Sequence, residues 1–104
     1  MRIAICEKVS GARLAEGEAE KDVVTYEGNL YFDPSVVNQP ALRITERTYT
    51  CPYKGTCHWV DMLGQDGKTV RDVAWVYADP KAGHEVIKGR YGFYAGSRGA
   101  TRQE

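Results

Sequence analysis

Residues 51–59 of this chain run Cys-Pro-Tyr-Lys-Gly-Thr-Cys-His-Trp and gather most of its reactive side chains. Two of three cysteines lie here, with one of two histidines and one of two tryptophans. Zinc is the first chemistry to weigh, because Cys51, Cys57 and His58, with Cys6 as a fourth donor, supply sulfur and nitrogen. The spacing argues against it. Structural zinc sites present close C-x2-C pairs, and adjacent residues such as Cys57 and His58 point to opposite faces of a strand. Buried free thiols are the plainer reading. Cys51 as a nucleophile would need a neighbouring cation to lower its pKa, which Lys54 or His58 could supply. A small residue packed beneath a turn is the plainer reading.

Lys54 is the most informative residue. Pro52 fixes one backbone angle and Gly55 permits a tight approach, so a stiffened turn presents the lysine. So held, it can bind a phosphate or carboxylate, accept a proton if its pKa falls, or stand as an ordinary surface lysine. A phosphate-binding G-x4-G-K-[ST] loop is absent. Among acids, Glu27 sits beside Gly28-Asn29 in a β interruption with aromatics around it, where it serves either a ligand or the hairpin backbone. Asp61 and Asp72 are expected to face solvent. His84 lies in a polar loop and is expected to be exposed, whereas His58 packs. Most of the eleven aromatic residues are expected in the core, with tyrosine hydroxyls reaching solvent or a partner.

These residues need strands to position them. Short runs with β character cover 2–7 (an edge strand), 13–16, 23–26, 30–32, 43–50, 56–63, 68–77 and 89–94. Gly28-Asn29 marks a tight hairpin or bulge, and Gly64-Gln65-Asp66-Gly67 a hairpin turn. Asp33-Pro34-Ser35 opens about one helical turn, which Pro40 ends. Helical periodicity is sustained nowhere. The expected fold is therefore mainly β: a single compact antiparallel domain over 1–95, a small barrel or two sheets, with one or two short helical turns. Residues 96–104 hold no large apolar side chain and read as a disordered tail.

At 104 residues the chain is the size of one domain. Fourteen basic and fourteen acidic residues cancel, which argues against a nucleic-acid track or an anionic membrane surface and leaves any anion site local. No apolar run could span a bilayer, and the first residues lack a signal-peptide core, so a cytoplasmic protein with free thiols is expected. No cofactor and no oligomeric state is assigned.

Three fragments in order carry a family resemblance: Glu27-Gly28-Asn29-Leu30-Tyr31-Phe32-Asp33-Pro34, Cys51-Pro52-Tyr53-Lys54-Gly55-Thr56, and Ala74-Trp75-Val76-Tyr77-Ala78-Asp79-Pro80. Ile87-Lys88-Gly89-Arg90-Tyr91-Gly92-Phe93 comes next. Over 23–93 the chain resembles a small, mostly bacterial family of domains of unknown function filed under a nucleotidyltransferase-domain name. The resemblance implies a compact antiparallel β domain like the zinc-associated β-tent folds, without their paired cysteines. It does not imply the named reaction, since no paired aspartates come after a Gly-Ser turn. It selects Glu27, Asn29, Tyr31, Cys51, Lys54, Trp75 and Tyr77. The chain departs from it at Cys57, where members carry Ala or Ser, so Cys57 is set aside.

The resulting expectation is a pocket. Trp75 and Tyr77 would line one β face with Tyr31 opposite. Lys54 would stand at the rim, with Glu27 and Asn29 as hydrogen-bonding partners and Cys51 at its edge. A small, flat, anionic ligand would bind there, a nucleotide or a carboxylated metabolite. Were chemistry to occur, Lys54 would stabilise charge or accept a proton, and Glu27 would be its acid–base partner. In the alternative, a non-catalytic interaction module, the same residues fix turns and fill the core.

Overall fold

The computed structural model describes residues 1–64 and 66–104. Nine strands are described: β1 (Arg2–Glu7), β2 (Arg13–Glu18), β3 (Val23–Tyr26), β4 (Asn29–Phe32), β5 (Leu42–Cys51), β6 (Gly55–Leu63), β7 (Thr69–Val76), β8 (Tyr91–Tyr94) and β9 (Thr101–Gln103). They form two antiparallel sheets, one ordered β2-β1-β9 and the other β3-β4-β8-β7-β6-β5. The expected mainly β domain is thus a two-sheet structure rather than a closed barrel. Helix among the described residues is confined to single 3-10 turns at Pro34–Val36, Gln39–Ala41 and Glu85–Ile87. None is long and apolar enough to cross a membrane.

Several local expectations hold. Asp33 Oδ1 accepts from the Ser35 backbone N–H at 2.9 Å and caps the first 3-10 turn, with Pro34 at its start. Glu27 and Gly28, at φ +50° and +82°, form the two-residue turn joining β3 to β4. Two successive positive φ values match the right-handed twist of the flanking strands. Around the β6–β7 connection Leu63 pairs with Thr69, and the Gly64 N–H donates to the Lys68 carbonyl at 2.7 Å. The expected turn there includes Gln65, which lies outside the described residues.

Other expectations are corrected. The segment expected to be a disordered tail contains β9, which pairs with β1 through Ile5–Gln103, Cys6–Arg102 and Glu7–Thr101. Strand β1 is therefore central in its sheet, not an edge. A three-residue strand whose buried contribution is Thr101 offers no apolar pattern to read. Pro40 does not end a helical turn but sits inside the second 3-10 turn. Asp61 is buried, only 2% exposed, instead of facing solvent. Alternation along β6 is unbroken, with Val60 and Met62 both in the main core. It is β7 that bulges, setting residues 71–73 opposite Asp61, and Arg47 and the Asp72 N–H cover the carboxylate. Arg47 also bonds Asp72 at 2.8 Å, while the Asp72 side chain itself stays exposed.

The main core lies between the sheets. Ile3, Ile5 and Leu14 meet Leu30, Phe32, Val60, Ala74, Val76 and Phe93. Because strand side chains alternate, the same strands carry a second set on the opposite face: Tyr31, Cys57, Trp75 and Tyr77. The centre of the larger sheet is thus buried on both faces, and its second face bears the chemistry.

Candidate functional site

One line of residues crosses four strands of this second face. Tyr31 on β4 lies opposite Gly92 on β8, Gly92 opposite Trp75 on β7, and Trp75 opposite Trp59 on β6. Gly92 makes the line possible. A Cβ there would stand 2.9 Å from Trp75 Cδ1 and closer still to Nε1. The absent side chain lets the indole lie across β8, where Nε1–H donates to the Tyr31 hydroxyl at 3.1 Å. The ring centroids of Tyr31 and Trp59 stand 6.1 and 6.0 Å from that of Trp75, both edge-on. Tyr94 closes in from β8 at 4.9 Å, with the Arg98 guanidinium stacked 4.7 Å over the Tyr94 ring.

Over this line opens a cavity of about 290 Å³, lined by Asn29, Tyr31, Tyr49, Lys54, Cys57, Trp59, Trp75, Tyr77 and Tyr94. The volume lies near the lower end of the roughly 300–1,000 Å³ of small-molecule sites. Tyr77 lies just past the end of β7, two residues beyond Trp75, and packs in the same cluster as Trp75. Asn29 lies opposite Tyr94 in the β4–β8 register, which brings its amide to the same wall.

Lys54 reaches the cavity from the hairpin turn between β5 and β6, which the Cys51–Gly55 pair closes. Gly55 holds φ +105°, a conformation few other residues adopt. The segment after β7 fastens the turn: Lys81 N–H donates to the Lys54 carbonyl at 2.8 Å, and Lys81 Nζ to the Pro52 carbonyl at 2.9 Å. From inside, Cys51 Sγ accepts from the Lys54 N–H at 3.5 Å. Tyr53 in the same turn is exposed, whereas the Lys54 side chain is only 15% exposed. Lys54 Nζ bonds Glu27 Oε1 at 2.6 Å.

The electrostatics stem from this pair. Burial works against the charged form of Lys54, but the Glu27 hydrogen bond and nearby negative groups outweigh it and hold the ammonium pKa above its ordinary value. The Lys54 hydrogen bond in turn lowers the Glu27 carboxyl. Both groups are therefore charged at neutral pH. A base role for Lys54 needs the opposite shift. Burial raises the Tyr31 hydroxyl, and burial with the Cys57 thiol raises that of Tyr77, so both remain neutral donors. Burial also raises the Cys57 thiol. The Cys51 thiol is lowered, chiefly by the Lys54 N–H.

Of the residues expected at the site, Asn29, Tyr31, Lys54, Trp75 and Tyr77 line the cavity. Glu27 joins them through Lys54. Cys51 packs beneath the turn rather than in the lining. Cys57, set aside from the sequence, does line the cavity, as do Tyr49, Trp59 and Tyr94. Alternation along β6 places Cys57 and Trp59 on one face; which face points to the cavity depends on the sheet order. His84 is half-buried rather than exposed, because its Nδ1 meets the Tyr26 hydroxyl.

Among the described residues no three His, Cys, Asp or Glu side chains converge as metal ligands. Cys6 lies in the other sheet, and His58 Nδ1 lies 2.9 Å from the Thr45 carbonyl. A wider groove of about 970 Å³ runs beside the β6–β7 hairpin. Its buried carboxylate, Glu7, is already engaged by the N–H groups of Val9 and Ser10 and the Ser10 hydroxyl.

Two antiparallel sheets with an aromatic cavity on the outer face of the larger define a small β domain with a built concave site. The chain belongs to the family described as "Domain of unknown function (DUF427)", whose model, labelled NTP_transf_9, matches residues 5–104. The match is longer than the 23–93 expected from motifs and takes in β9 and the second half of β1. No curated protein matches the chain.

Proposed function

We propose that the domain binds a small, flat, anionic ligand in the cavity above the Tyr31–Gly92–Trp75–Trp59 line. The observation that carries this reading is the convergence of a cation with that aromatic wall. Lys54 enters from a hairpin turn fastened on two sides, and its ammonium is the one cation lining the cavity among the described residues. An aromatic wall accepts a planar ring, the ammonium binds an anionic substituent, and the Asn29 amide supplies directional hydrogen bonds.

If the domain is an enzyme, Lys54 serves by stabilising negative charge. Its raised pKa opposes proton abstraction, and the lowered carboxyl of Glu27 opposes its acting as a general acid. A nucleotide-like ligand would meet a single cation, fewer than a polyphosphate calls for. In the alternative, a structural or interaction module, Trp75 and Tyr77 serve as core. Both are indeed buried, yet both also wall the cavity, which favours the binding reading. Free thiols suit the reducing cytoplasm, where we place the protein.

The test is a thermal-stability screen of nucleotides and small aromatic and carboxylated metabolites, since a ligand specific to the native state raises its stability with concentration. The expected result is a hit lost in Lys54→Ala. Stabilisation that survives this substitution unchanged would refute the site.

A further inference from the structure

Glu27 and Lys54 are unequal partners. The lysine head is held in the cavity wall, 15% exposed, by a fastened turn, whereas the Glu27 side chain is 49% exposed. Its carboxylate makes no other hydrogen bond among the described residues. Glu27 also occupies a turn position at φ +50°, a conformation that glycine or asparagine adopts more readily. Neither the turn geometry nor the core calls for a glutamate here. What the glutamate does is place a carboxylate 2.6 Å from the cavity's ammonium. Its exposed side chain can swing into water without breaking any other hydrogen bond among the described residues, whereas the Lys54 side chain is mostly enclosed.

We infer that the Glu27 carboxylate stands on Lys54 as an exchangeable stand-in for a ligand's own carboxylate, and that the cavity takes planar aromatic monocarboxylates. This rests on the binding reading above and sharpens it. A carboxylate demonstrably fits the ammonium, because one is seated there. On binding, the ligand's carboxylate takes over the Lys54 hydrogen bond, its ring lies against Trp75, Trp59 and Tyr94, and Glu27 turns outward to solvent. One positive charge then meets one negative charge. A second or third negative charge on the ligand would face the displaced Glu27 with no further cation in the lining, so polyphosphates are disfavoured. Glu27 thereby sets affinity by competition: each binding event must displace an anion already in place. Removing its charge frees the ammonium and strengthens ligand binding. Were Glu27 itself to hold the ligand, the same change would weaken binding.

Benzoate and indole-3-carboxylate titrated into the protein provide the test, with indole, phenyl phosphate and ATP in parallel. Binding is read from NMR shifts of the tryptophan indole N–H signals and the Gly55 amide. Wild type should bind the two carboxylates in preference to indole, phenyl phosphate and ATP. Glu27→Gln should bind them several-fold more tightly. Glu27→Asn, which suits the left-handed backbone, should do the same and guards against a local turn defect. Lys54→Ala should bind them about tenfold more weakly, as expected for one lost charge-assisted hydrogen bond. If Lys54→Ala loses binding while both Glu27 variants bind equally or more weakly than wild type, the stand-in role is wrong and the site stands. If Lys54→Ala binds like wild type, the site itself is wrong. Failure of both carboxylates to bind wild type and Glu27→Gln, or tighter binding of ATP, overturns the ligand class.

Discussion

The indole of Trp75 lies over Gly92 and donates its N–H to the hydroxyl of Tyr31 two strands away, at 3.1 Å. This contact ties β7 to β4 across β8 and holds the cavity floor. Substituting Gly92 with Ala puts a methyl group into the indole ring. Overpacking of this kind costs about 1–3 kcal/mol. We expect Gly92→Ala to lower the urea midpoint accordingly and to change the near-ultraviolet circular dichroism of the tryptophans. Unchanged spectra and stability would mean that Trp75 does not rest on Gly92.

Tyr31→Phe removes the acceptor and leaves the buried Trp75 N–H without a partner. An unsatisfied buried donor costs about 1–3 kcal/mol. The expected outcome in urea denaturation is a loss within that range with no change in m-value, since the ring and its packing remain.

Arg47 spans Asp61 and Asp72 at the bulged side of the larger sheet. Asp61 is buried, and its other described partner is the Asp72 N–H at 3.1 Å. Arg47→Ala therefore strands a buried carboxylate. Breaking such a pair is destabilising because it leaves an uncompensated buried charge, and the partial exposure of Arg47 moderates the loss. Asp61→Asn combined with Arg47→Ala should recover part of the loss in a double-mutant cycle, and additive losses would contradict the coupling.

Acid should destabilise the domain through Glu7 and Asp61. Burial pushes the Glu7 carboxyl up, but hydrogen bonds from Val9 and Ser10 more than offset this and leave its pKa lowered. For Asp61, burial is likewise outweighed, by Arg47 and the Asp72 N–H. A carboxyl with a lowered folded-state pKa binds its proton more readily when unfolded. Its stabilising effect is present above the unfolded pKa and is lost as pH falls through the folded one. Urea midpoints should hold from pH 7 to about 5 and then decline, with a shallower decline in Glu7→Gln.

Much of the arrangement was legible in the chain because strand alternation is a strong local signal. Alternation sets Trp75 and Tyr77 against Ala74 and Val76, and the structure turns the first pair to the cavity and the second to the core. The stiffened Lys54 turn and the Glu27-Gly28-Asn29 interruption could likewise be read from Pro and Gly placement. Register and sheet order could not. The meeting of Glu27 with Lys54 follows from the family motifs and not from local pattern, for it is a pairing across 27 residues set by the order β3-β4-β8-β7-β6-β5. Trp59, Tyr94 and Cys57 enter the cavity for the same reason. Asp61 escaped because the groups that cover it, Arg47 and the bulged β7 backbone at Asp72, come from other strands, and β9 because a buried threonine gives no apolar pattern.

The central claim is that Lys54 and the aromatic line form one binding site. It is tested most directly by mapping, in an ¹H–¹⁵N spectrum, where an aromatic monocarboxylate perturbs the protein. We predict that benzoate shifts the indole N–H signals of Trp75 and Trp59 and the backbone amides of the Lys54 turn, including Gly55, and that Lys54→Ala needs about ten times more benzoate for the same shifts. Perturbations confined to the groove lined by Met62, Leu63 and Val70, or none at all, would contradict it.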